Sequence, residues 1–138
     1  MDEGSKRPTR GLIDTSVVID LENIDSGDLP VEVAISSLTL AELAAGPHAT
    51  DDTEERARRQ DRLQRTEAAF DPLAFNAEAA RSYGRIYAAV LAAGRKARGP
   101  RAVDLLIAAT AHASSLPLYT RNPDDFRGLE NLLEIITI

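Results

Sequence analysis

The chain has 138 residues, 43% hydrophobic, 28% charged and 4% aromatic, with a formal net charge of −6. That length fits one domain with a sizeable core, and the acidic balance argues against a module that coats nucleic acid through overall charge. The absence of cysteine excludes disulfides, thiolate nucleophiles and cysteine-based zinc sites; with no signal-peptide pattern or membrane-length apolar run, the chain is compatible with a reducing cytoplasm.

In chain order, residues 1–10 are polar and read as a flexible N-terminal tail, leaving 11–138 as the folded domain. Leu12-Ile13 predicts a buried strand running straight into a helix that carries Val17-Val18-Ile19. The alternating, β-branched Val31–Ile35 predicts a second strand. A helix from about Leu38 stops at Gly46-Pro47. Residues 51–70 mix charges so densely that they predict a solvated helix, with Glu54-Glu55 a turn before Arg58-Arg59. Pro72–Phe75 reads as a third strand. Asn76 is placed to cap a long helix with an apolar face of Ala80, Tyr83, Tyr87 and Val90 or Leu91, ending near Gly94. A helix from about Arg101 to Ser115, a strand at Leu116–Tyr119, a short capped turn at Asn122–Asp125 and a strand at Leu133–Ile138 complete the pattern. Alternating strands and helices predict an α/β domain in three layers, with a central parallel sheet covered on both faces. No internal repeat or second domain is indicated.

Four acids stand beside apolar runs: Asp14, Glu42, Asp104 and Asp125. Each has a structural explanation. Asp14 can cap the following helix, Thr39-Leu40-Ala41-Glu42 matches a capping box, and Asp104 and Asp125 suit the positive ends of helices. Their joint placement argues further. In an open parallel sheet, ligands bind outside the carboxyl ends of the strands, where strand order switches. Carboxylates gathered there repel one another unless protons or cations balance them. A divalent metal is the simplest balance, and an oxygen-only donor set selects Mg²⁺ or Mn²⁺. His48 and His112 lack metal-ligand spacing and are read as structural.

Arg95, Lys96, Arg98 and Arg101 form a cationic stretch directly before Asp104. It reads equally as a solvated loop after a helix end or as a phosphate-contacting rim beside the metal centre. The arginines at 56, 58, 59, 62 and 65 are interleaved with acids and read as a solvated face.

Taken in order, Leu12-Ile13-Asp14-Thr15-Ser16-Val17, Leu40–Gly46, Val103–Ala109 and Thr120–Phe126 resemble PIN-domain ribonucleases, and among them VapC-type toxins of bacterial toxin–antitoxin pairs. The resemblance implies a metal-dependent endoribonuclease in which Asp14 and Asp104 are the principal Mg²⁺ ligands and Glu42 is the third acid. It also implies that Thr15, Thr120 and Asn122 hydrogen-bond the ligands or the attacking water. The fourth position departs from the wider pattern: Asn122 stands where many PIN domains have an acid, and Asp125 occupies the alternative position, ahead of Asp124. A small antitoxin and homodimerisation are further expectations of the family, with the helix over 76–93 as a contributor to the dimer face. Rival readings are a non-catalytic PIN-fold binding module and a housekeeping RNA-processing nuclease. A phosphorylation receiver lacks its late-strand lysine here, and a haloacid-dehalogenase phosphatase lacks its Asp-x-Asp, since Asp14 is followed by Thr15-Ser16.

Overall fold

The computed structural model describes residues 8–138. Most of the expected N-terminal tail, residues 1–7, lies outside the described residues, and Arg10 already opens the first strand. In order, the elements are β1 (Arg10–Ile13), α1 (Thr15–Ile19), β2 (Glu32–Ala34), α2 (Ser37–Ala45), α3 (Thr53–Ala69), α4 (Ala77–Ala92), α5 (Ala102–Ala113), β3 (Leu118–Thr120) and β4 (Ile135–Thr137). Short 3-10 turns link them, among them Gly99–Arg101 before α5 and Pro123–Phe126 after β3.

All strands pair in parallel in the order β2-β1-β3-β4. Alternation along the short strands divides the core in two. Leu12 and Leu118 join Ile86, Val90, Leu105, Ile107 and Phe126 beneath α4 and α5. Their neighbours Ile13 and Tyr119 point the other way, into Val17, Val18, Ile35 and Leu43 of the α1–α2 side. Each large side chain buried this way contributes roughly 1.5–3 kcal/mol. Gly11 lets Tyr119 lie flat across β1: a Cβ there would sit 2.4 Å from Cε1 of the tyrosine. The chain leaves β1 for β2 on one side and returns to β3 on the other. The strand order therefore switches between β1 and β3, and their carboxyl ends open the crevice where such sheets bind ligands.

Two expectations need correction. Pro72–Phe75 forms no strand of the sheet. Leu73 alone bridges Ser36, through Leu73 N to Ile35 O at 2.9 Å and Ser37 N to Leu73 O at 2.9 Å. Pro72 has no amide hydrogen to extend that ladder. On α4, the buried face is Ala79, Ser82, Ile86 and Val90, whereas Ala80 is exposed, as are Tyr87 (41%) and Leu91 (52%). The reason is polar: the Ser82 hydroxyl meets Nδ1 of His112 at 2.9 Å, so a serine can lie on the face packed against α5. That contact also accounts for His112, while His48 is exposed in the turn after α2. The solvated reading of α3 holds in part. Arg58 and Arg59 both pair with Glu55, but Arg56 and Arg59 also bond Pro47 O, Thr50 O and Gly46 O, fastening α3 to that turn. Among the described residues no helix is long and apolar enough to cross a membrane.

Candidate active site

Asp14 follows β1 at the switch point and is 3% exposed. Its amide donates to Tyr119 O at 3.0 Å, which ties it to β3. Its carboxylate does cap α1, accepting from Val17 N at 3.1 Å, and also from Ser16 Oγ at 2.6 Å. Burial raises its pKa above the ordinary aspartate value, against hydrogen bonds from Ser16, Thr120 and Val17 that favour the charged form. Capping and membership of the acidic cluster thus coexist in one residue.

Glu42 is not part of a capping box. Ser36 is the N-cap of α2, accepting from Leu38 N at 3.0 Å, so Thr39 already lies inside the helix and Glu42 lies in its second turn, not the first. The glutamate accepts from Thr15 Oγ1 at 2.5 Å, and Thr15 Oγ1 also lies 3.0 Å from Oγ1 of the fully buried Thr39. These two threonines aim the carboxylate across from α2 toward the carboxyl end of β1.

Asp104 stands in the first turn of α5. Its pKa is pushed up to about 7, first by burial and then by the negative charges of Asp125, Glu42 and Asp14, with Arg101 acting in the opposite sense. The four acids picked out in the sequence therefore share one electrostatic site, although they come from four separate segments. Asp125 is half-buried and lines an open cleft of about 380 Å³ with Asp104, Lys96, Arg98 and Arg101. Asp124 is exposed and paired with Arg127 at 2.6 Å, so Asp125 is the acid that lines the cleft. Asn122 does not cap the turn with its side chain. Its amide donates to Thr120 Oγ1 at 2.9 Å.

The basic stretch divides. Lys96, Arg98 and Arg101 line the cleft, and Nε of Arg101 is buried without a hydrogen-bond partner. Arg95 instead spends its guanidinium on main-chain carbonyls, donating to Asp124 O at 2.6 Å and Arg127 O at 3.3 Å. Sequence reasoning missed Ser16, which donates to Asp14 and accepts from Arg121 N at 3.1 Å, joining α1 to the end of β3. The signal was present, because a serine two residues after a buried acid is a common local hydrogen-bonding partner. Thr39, a cap by its sequence pattern, is instead a buried partner of Thr15.

The donor set suits a hard divalent cation: carboxylate oxygens, buried and close enough to one another to hold a proton on Asp104 near neutrality. Among the described residues no three histidine, cysteine or acidic side chains close into a ready-made cage. Mg²⁺ needs no such cage, since it is commonly held by one or two carboxylates with water in its remaining positions.

A PIN-domain family model matches residues 12–132. Ribonuclease VapC5 of Mycobacterium tuberculosis is 36% identical over 97% of this chain and 99% of its own length. Ribonuclease VapC8 of the same species is 39% identical over 73% of this chain and 89% of its own. The crystal structure of VapBC-5, a member of the VapBC family of toxin–antitoxin systems from M. tuberculosis, superposes with a TM-score of 0.83 at 36% identity, covering 95% of this chain and 100% of that one. With the fold, the switch-point acids and these relatives in agreement, the chain belongs to the PIN-domain family, in its VapC-type branch.

Proposed function

We propose that this protein is the toxin of a type II toxin–antitoxin pair, a Mg²⁺-dependent endoribonuclease that hydrolyses RNA phosphodiester bonds at the Asp14–Glu42–Asp104–Asp125 cleft. One observation carries the reading: carboxylates from four segments act on one another beside a cationic rim at the sheet's switch point. RNA as substrate rests on the names of the relatives, ribonucleases VapC5 and VapC8.

A bound Mg²⁺, or Mn²⁺ in its place, would lower the pKa of a water and polarise the scissile phosphate. Asp14 and Asp104 would hold the ion, and Glu42 and Asp125 would complete the negative set and position the attacking water. Thr15 holds Glu42, Ser16 and Thr120 hold Asp14, and Asn122 fixes Thr120 through its amide. Lys96, Arg98 and Arg101 receive the phosphate backbone, and a phosphate oxygen supplies the acceptor that Nε of Arg101 lacks. Water as nucleophile requires no 2′-hydroxyl, so selection of RNA falls to groups outside the acidic cluster.

The partner is a cognate antitoxin, a reading supported by the VapBC-5 relative, which was solved as a toxin–antitoxin system. An arginine from such a partner would balance the carboxylates much as a cation does. A homodimer would cover the exposed Tyr87 and Leu91 of α4, and sedimentation at micromolar concentration should show it.

The deciding experiment is cleavage of a mixed RNA pool by wild type and Asp14→Asn, with Mg²⁺, Mn²⁺ or EDTA. Metal-dependent cleavage that disappears in the variant is expected. Folded, antitoxin-free protein that cleaves nothing with either ion would overturn the enzymatic reading.

A further inference from the structure

We propose that Arg95 is a positioning residue for Asp125, clasping from outside the turn that carries this acid into the cleft; the inference rests on the metal-nuclease reading above. Three observations support it. The guanidinium donates to two carbonyls, Asp124 O at 2.6 Å and Arg127 O at 3.3 Å, which bracket Asp125 in sequence. The turn is anchored at its end by the buried Phe126 and braced by the Asp124–Arg127 pair, but the stretch that presents Asp125 is held by less. It is a 3-10 turn of four residues, Asn122 gives it no side-chain cap, and the bonds that flank it are Asp125 N to Asn122 O at 3.1 Å and Arg127 N to Asp124 O at 3.4 Å. Short 3-10 segments have poor hydrogen-bond geometry, so an outside clasp has more effect here than on a long helix.

The third observation is how Arg95 reaches the turn. Gly94, at φ +75°, reverses the chain at the end of α4, and Arg95 N returns to Val90 O at 3.0 Å. The same end of α4 packs on the chain just past the turn, since a Cβ on Gly128 would stand 2.9 Å from Cβ of Ala93. Arg95 therefore projects from a fixed point onto a turn whose continuation is seated against that helix end. Lys96, Arg98 and Arg101 follow at once in the chain, so one anchor sets both the Asp125 turn and the start of the cationic rim.

A charged donor on two carbonyls outlasts a neutral one; Asp125 is not one of the two ligands, but its charge acts on Asp104 and adds to the attraction of the site for a cation, so a turn that carries it away weakens metal binding. Arg95→Met should weaken Mn²⁺ binding about tenfold, measured by calorimetry or electron paramagnetic resonance on antitoxin-free protein, with little change in melting temperature. Asp125→Asn supplies the control: if Arg95 acts through Asp125, the double variant binds Mn²⁺ no more weakly than Asp125→Asn alone. Wild-type affinity in Arg95→Met, or effects that multiply in the double variant, would overturn the proposal. Amide exchange in the metal-free protein gives an independent reading. Asp125 and Arg127 amides should exchange several-fold faster in Arg95→Met, while β1 and α5 amides do not change. Unchanged exchange at the turn would overturn the clasp. A wild type that binds no Mn²⁺ would sink the metal reading instead, and amide exchange alone would then decide whether the clasp exists.

Discussion

Asp104 is where burial, reinforced by the neighbouring acids, has its largest consequence. Its carboxyl titrates at about 7 in the folded chain against an ordinary 3.8, so the native state holds a proton there that the unfolded chain has released. Stability from this group is complete below about pH 4 and is lost as pH rises toward 7. At about 1.4 kcal/mol per pH unit, the loss is on the order of 4 kcal/mol. Metal-free Asp104→Asn should therefore gain stability over wild type at pH 8 and little at pH 4, with urea denaturation at the two pH values as the measurement. A wild type no less stable at pH 8 than at pH 5 would contradict the raised pKa of Asp104. The same variant should cleave no RNA. Arg101 acts on Asp104 in the opposite sense; removing it leaves the acid more reluctant to ionise. Arg101→Met should move the acid limb of the pH–rate profile to higher pH and lower the rate by one to two orders of magnitude, as for a lost charge-assisted phosphate contact. Arg101→Lys should restore the limb better than the rate, because lysine keeps the charge and loses the planar fork.

At the scale of elements, α2 separates a structural role from a chemical one. Ser36 caps the helix and Glu42 projects from its second turn toward Thr15. Ser36→Ala should cost about 1 kcal/mol of stability. Glu42→Gln keeps an acceptor for Thr15 and removes only charge, so it should leave stability within about 1 kcal/mol and abolish cleavage. Thermal melts beside RNA cleavage distinguish the pair. Equal loss of stability in both variants would return Glu42 to a structural role. The capping box at Thr39–Glu42 misled because the sequence pattern fits any Thr-x-x-Glu within a helix, and only the start at Ser37 shows that the cap lies three residues earlier. The helices and the four parallel strands were legible, since alternation and punctuation are local signals. The α4 face was not, because a buried serine satisfied by His112, thirty positions on, leaves no local trace. In the site, the acids were legible by their placement beside strand ends. The separate fate of Arg95 was not, since it depends on which carbonyls the returning chain brings near.

For the whole molecule, charge poses a problem that the fold answers locally. A chain of net charge −6 repels polyanions at long range, so RNA must be held by a patch, and four of the five arginines of α3 are already engaged. Arg58, Arg59 and Arg65 face Glu55, Glu22 and Asp61, and Arg56 is spent on carbonyls. The cleft offers Lys96, Arg98 and Arg101 instead. Each phosphate neutralised on a single strand contributes about −0.7 to the slope of log K against log salt, so three contacts give a slope of about −2. A fourfold rise in salt should then weaken RNA binding about sixteenfold, measured with the inactive Asp14→Asn protein at constant Mg²⁺. Arg98→Ala should bring the slope to about −1.4, whereas Arg58→Ala on α3 should leave it near −2. A slope near −5 would require more cations than the cleft holds, and a slope that responded to Arg58 and not to Arg98 would move the RNA path from the cleft to α3.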